Sequence, residues 1–136
     1  MAEDLHTVLA LDYGDARVGV ALGNTIARIA NPKEVLANDE QLMPSIQKLI
    51  LDNRVDNIVV GLPRNMDGTI GSQATKAENF ASELRNVSKV PVTLHEEALS
   101  SIEAAEQYPN VAVDAAAAAV ILQRYFEEST QTGEYA

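Results

Sequence analysis

The stretch TVLALDYGDARVGVALGN, residues 7–24, decides the fold. Val8, Leu9, Ala10 and Leu11 form too short an apolar block for a helix and include a β-branched residue, which predicts a buried strand. Asp12 closes that strand. Gly14 is expected to supply the permissive backbone of a tight turn. Residues 17–22, RVGVAL, read as a second strand paired back on the first. A carboxylate at the end of an apolar central strand is costly unless it is hydrogen-bonded or binds a cation. Asp12 is therefore the first candidate for a functional group.

The rest of the chain builds outward from that hairpin. Residues 27–36 mix β-branched side chains with Asn31-Pro32 and read as an edge strand with a bend. Asn38 or Asp39 can cap a helix over 40–53, where Leu42, Ile46, Leu49 and Ile50 recur at helical spacing and Pro44 falls in the tolerant first turn. Residues 57–62, NIVVGL, read as a strand buried on both faces. A loop rich in turn residues follows over 63–71. Ser72 is expected to cap a helix over 73–87, with Ala77, Phe80, Ala81 and Leu84 on one face. A strand over 90–95 ends in Glu96-Glu97. Ser100 or Ser101 can cap a short helix to Gln107, and Asn110 or Val113 leads into a last helix over 114–127. Residues 129–136 are expected to be a disordered tail.

Right-handed crossovers lay the fourth and fifth strands parallel to the first. The expectation is an α/β domain over residues 1–128: a mixed five-stranded sheet with helices on both faces. Ligands of such sheets sit at the carboxyl ends of the strands.

Composition narrows the chemistry. The 136 residues include no cysteine, which removes disulfides and thiolate metal sites. The start, MAEDLHT, lacks the apolar core of a signal peptide, and no apolar run approaches a membrane span, so the expected location is the cytoplasm. The formal charge of −10 argues against a broad electrostatic footprint for nucleic acid. The acids are spread along the chain, as on an ordinary soluble surface.

Four acids can meet in this topology. Asp12 ends the first strand, Glu96 and Glu97 end the fifth, and Asp114 starts the last helix. Convergent carboxylates repel one another unless a hard cation neutralises them, and Mg²⁺ suits such a site. Two such ions about 3.5–4 Å apart would activate a water and stabilise the leaving oxygen in phosphodiester cleavage. Plainer roles compete. Asp114 can simply cap its helix, Glu96 and Glu97 can be solvated strand ends, and Asp15, Asp52, Asp56 and Asp67 read as turn or surface residues. His6 and His95 form no metal pair at a recognisable spacing.

Four stretches together carry a family resemblance: LDYGDARVGVAL at 11–22, IVVGLPRNMDGTIGSQA at 58–74, EEALSS at 96–101 and VDAAAAAVILQRYF at 113–126. The chain resembles the YqgF family, also called RuvX, of the ribonuclease H-like superfamily. The resemblance implies a ribonuclease H-like fold and a metal-dependent nuclease using Mg²⁺ or Mn²⁺. Members are described as nucleases maturing the 5′ end of pre-16S ribosomal RNA and as Holliday-junction resolvases. The resemblance implies Asp12, one glutamate of the Glu96-Glu97 pair, and Asp114 as catalytic acids and metal ligands. It favours Glu97, with Glu96 standing where the family has Asp. It also marks Arg17, Asn65, Asp67 and Gly68 as signature positions, and Arg17, Arg64 and Asn65 are candidates for contacting nucleic acid. Two departures remove positive charge beside this site. The family's arginine after the glutamates is Ala98 here, and residues 101–114 lack the usual lysines and arginines.

The leading expectation is an endonuclease acting on structured RNA, pre-rRNA above all. The alternatives are a resolvase of branched DNA, most simply as a symmetric homodimer, and a ribosome-assembly or nucleic-acid-binding protein with reduced catalysis. Ala98 and the acidic charge favour the last, in which a partner protein or ribosomal particle supplies positive charge. Monomer and homodimer are both compatible with the sequence.

Overall fold

The computed structural model describes residues 5–63, 71–97 and 101–132. Among the described residues, five strands and four helices run in the order β1 (Thr7–Tyr13), β2 (Arg17–Asn24), β3 (Asn31–Ala37), α1 (Leu42–Asn53), β4 (Asn57–Pro63), α2 (Ser72–Ser88), β5 (Val92–Glu97), α3 (Ser101–Gln107) and α4 (Val113–Thr132). The strands form one sheet in the order β3-β2-β1-β4-β5. β1 pairs antiparallel with β2 and β2 with β3, whereas β4 lies parallel to β1 and β5 parallel to β4. This is the mixed sheet expected from the sequence.

Strand alternation sorts the core into two layers. Leu9, Leu11, Val18, Val20, Ile58, Val60 and Leu62 face α1 and α2, packing on Ile46, Ala77, Phe80 and Leu84. Val8, Ala10, Ala21 and Val59 face α4, packing on Ala118, Ile121, Leu122 and Phe126. α3 adds Ala104 against Ala116, Ala117 and Val120 of α4. β1 and β4 are covered on both faces, which explains why VLAL and IVVGL are continuously apolar.

Several local expectations change. β3 starts only at Asn31, because Asn24 folds residues 24–28 into a turn: its Oδ1 accepts from the Ile26 and Ala27 amides at 3.0 and 2.8 Å. The bend in β3 is a bulge, since Ala21 pairs with Pro32 and Val20 with Glu34, leaving Lys33 over. Ahead of α1, Asp39 Oδ1 accepts from the Gln41 amide at 2.9 Å, whereas Asn38 turns away to the β1–β2 turn. Gly71, not Ser72, is the N-cap of α2. α4 continues to Thr132, past the end read from the sequence. Among the described residues, no helix is long and apolar enough to cross a membrane.

Candidate metal and nucleic-acid site

The site is built around the β1–β2 hairpin. The turn closes with the Gly14 amide donating to the Arg17 carbonyl at 3.0 Å. Gly14 is required here for space rather than for a left-handed backbone, because a Cβ at this position would sit 2.8 Å from that same carbonyl oxygen. Asn38 braces the turn from one side: its Nδ2 donates to the Gly14 carbonyl at 2.7 Å and its amide to the Ala16 carbonyl at 2.9 Å. α2 braces it from the other. Tyr13 stacks on Phe80 at 4.5 Å between ring centroids, and Lys76 pairs with Asp15 at 2.9 Å. Asp15 thus has the structural role expected of it. So do Asp52, paired with Lys48, and Asp56, whose Oδ2 accepts from the Thr7 amide.

Within this braced hairpin Asp12 pairs with Gly19. The first turn of α4 rests directly on Gly19, where a Cβ would overlap the Asp114 carbonyl group and press the Ala115 nitrogen. A glycine opposite Asp12 is therefore what lets Asp114 come down beside it. The sequence reading missed Gly19, although a glycine inside an apolar strand signals close backbone approach. Gly61 on β4 has a similar role further along, since a Cβ there would run into Ile121 of α4.

The consequence for Asp12 is electrostatic. Its carboxyl group is half-buried and is pushed up to about 6, first by desolvation and then by the neighbouring Asp114 charge. Asp114 in turn accepts a hydrogen bond from Arg17 Nε at 2.8 Å. Arg17 is therefore held by an acid of the candidate site. Two adjacent carboxylates, one desolvated and reluctant to ionise, form the donor set that a hard divalent cation would relieve, so the residues present fit such an ion.

β5 lies beside β4 and ends level with it. Gly61 pairs with His95, Leu62 with Glu96 and Pro63 with Glu97. Leu94 packs into the α1/α2 layer. His95 lies on the α4 side, with its Nε2 2.7 Å from Glu128 Oε2. Among the described residues no three acid or histidine side chains gather into a metal cluster. Arg64, Asn65, Asp67, Gly68 and Ala98 lie outside the described residues.

The family model described as "RuvX: Holliday junction resolvase" matches residues 6–128. The chain belongs to the RuvX family. Curated relatives named "Putative pre-16S rRNA nuclease" include one from Burkholderia vietnamiensis, 40% identical with 90% of this chain and 89% of that protein covered. Another, from Pseudomonas putida, is 37% identical over 93% of this chain and 99% of that protein. Among solved structures the chain is similar to Thermus thermophilus RuvC in complex with a Holliday junction substrate. The TM-score is 0.60 at 13% identity, covering 93% of this chain and 96% of that one. It is also similar to the fowlpox virus resolvase in complex with Holliday junction DNA, with a TM-score of 0.57 at 14% identity over 90% and 97% of the two chains. At such identities the likeness establishes the ribonuclease H-like fold. Family membership makes this RuvX chain a nuclease, an enzyme that hydrolyses phosphodiester bonds.

Proposed function

We propose that the chain is a divalent-metal-dependent endonuclease of the cytoplasm that cuts structured RNA at the 5′ end of pre-16S ribosomal RNA. The observation that carries this is the seating of Asp114 on Gly19, beside the desolvated Asp12. Relatives at 35–40% identity whose names specify pre-16S rRNA support RNA as substrate. Asp12, Asp114 and Glu97 would hold Mg²⁺ or Mn²⁺, which when bound supplies an activated water and stabilises the leaving oxygen. Asp12 supplies a half-buried carboxylate, and Asp114 offers the second anchor from the first turn of α4. Arg17, Arg64 and Asn65 would contact phosphates. The family description carries the second reading, a resolvase acting on branched DNA.

A paired substitution tests the ligand set. Glu97→Gln is expected to weaken Mn²⁺ binding about tenfold or more and to remove cleavage, whereas Glu96→Gln leaves both within about twofold. Amide chemical shifts followed during a Mg²⁺ titration read the same site directly, and should move at Asp12, Asp114 and the end of β5. Shifts confined to other parts of the fold, or a Glu96→Gln effect as large as that of Glu97→Gln, would contradict the assignment.

A further inference from the structure

Arg17 and Lys76 are both engaged by acids: Arg17 by Asp114 and Lys76 by Asp15. The first of these pairings has a consequence for the metal. Arg17 opens β2, where it pairs through its backbone with Ala37, and its side chain is 64% exposed. It grips Asp114 through Nε alone, on Oδ2. A single bond to an exposed guanidinium is easily exchanged, unlike a two-pronged clamp. Asp114 is also the acid that raises the cost of ionising Asp12. An ion shared by Asp12 and Asp114 would draw on the carboxylate that Arg17 occupies, and a dication and a guanidinium beside one carboxylate repel each other.

We infer that Arg17 and the divalent ion compete for Asp114, so that binding of the ion releases the Arg17 guanidinium for a phosphate of the incoming strand. This rests on the assignment of Asp12 and Asp114 as ligands. It gives Arg17 two successive partners: Asp114 before the ion is bound and nucleic acid after. The opposite role is also definite. An arginine that merely positions Asp114 would help the ion to bind.

The two roles predict opposite signs in a measurement that needs no substrate and no turnover. Mn²⁺ is titrated calorimetrically into the wild-type protein, Arg17→Gln and Asp114→Asn. Competition predicts that Arg17→Gln binds Mn²⁺ about two- to fivefold more tightly than wild type, with a larger gain at low salt. In the wild type, the Arg17 Nε resonance should shift as Mg²⁺ is added. Unchanged or weaker Mn²⁺ binding by Arg17→Gln overturns the competition. Asp114→Asn separates the two levels of the argument. Loss of Mn²⁺ affinity in that variant upholds the ligand assignment whatever Arg17 does. Wild-type affinity places the ion elsewhere and removes both claims.

Discussion

Asp12→Asn is expected to abolish cleavage, by at least about a hundredfold, while making the metal-free protein more stable at neutral pH. The two effects have one cause. Burial and the Asp114 charge hold the Asp12 carboxyl at about 6, above the value of an aspartate in the unfolded chain. Folding therefore favours the protonated form. The penalty is absent below about pH 4, grows as the pH rises through about 6, and is complete above it. A shift of this size corresponds to on the order of 2–3 kcal/mol. The side-chain amide of the variant never ionises and escapes that penalty. Thermal unfolding of the metal-free proteins should show the variant melting several degrees above wild type at pH 7.5, and level with it at pH 4. Saturating Mg²⁺ should raise the melting temperature of wild type and not of the variant. A variant that cleaves at the wild-type rate would end the metal-nuclease account. Equal melting temperatures at pH 7.5 would mean that Asp12 is not desolvated.

Gly19→Ala is the second large effect. The added methyl group would meet the Asp114 carbonyl and the Ala115 nitrogen, which are backbone atoms with no rotamer to give. α4 cannot lift freely, because Leu122 and Phe126 anchor it in the core beside Val8, Ala10 and Ala21. Overpacking of this kind costs about 1–3 kcal/mol and sometimes more. The larger effect falls on function. Asp114 would move by about an ångström relative to Asp12, a misplacement worth roughly a hundredfold in rate. The Asp12 carboxyl titration, read by NMR, should move back toward the ordinary aspartate range as Asp114 withdraws. A Gly19→Ala protein with wild-type stability, activity and Asp12 titration would refute the close approach on which the site depends.

Much of this was legible in the chain. The apolar blocks before Asp12 and around Val59 are long enough for strands, too short for helices and continuous enough to be buried on both faces. With helical segments between them, parallel pairing of β1, β4 and β5 follows from connection rules. Asp12 was legible because an acid ending such a strand needs a reason. Residues that act across long sequence distances were not. The Arg17–Asp114 bond joins positions 97 residues apart, and only the landing of α4 on Gly19 brings them together. The β3 boundary was missed for a local reason: the Asn24 side chain takes over the backbone bonding of the residues that follow it. Gly71 displaced Ser72 as the α2 cap because the cap position is set by where the backbone turns, and a serine one residue later falls inside the helix.

The most direct measurement is cleavage by the wild-type protein of a precursor 16S rRNA fragment carrying its 5′ extension, beside a four-way DNA junction, each with Mn²⁺ and with chelator. Shortening of the RNA at its 5′ end with Mn²⁺, silenced by chelator and by Asp12→Asn, is the result predicted here. RNA left intact under every condition, or cut equally well in the presence of chelator, would contradict it.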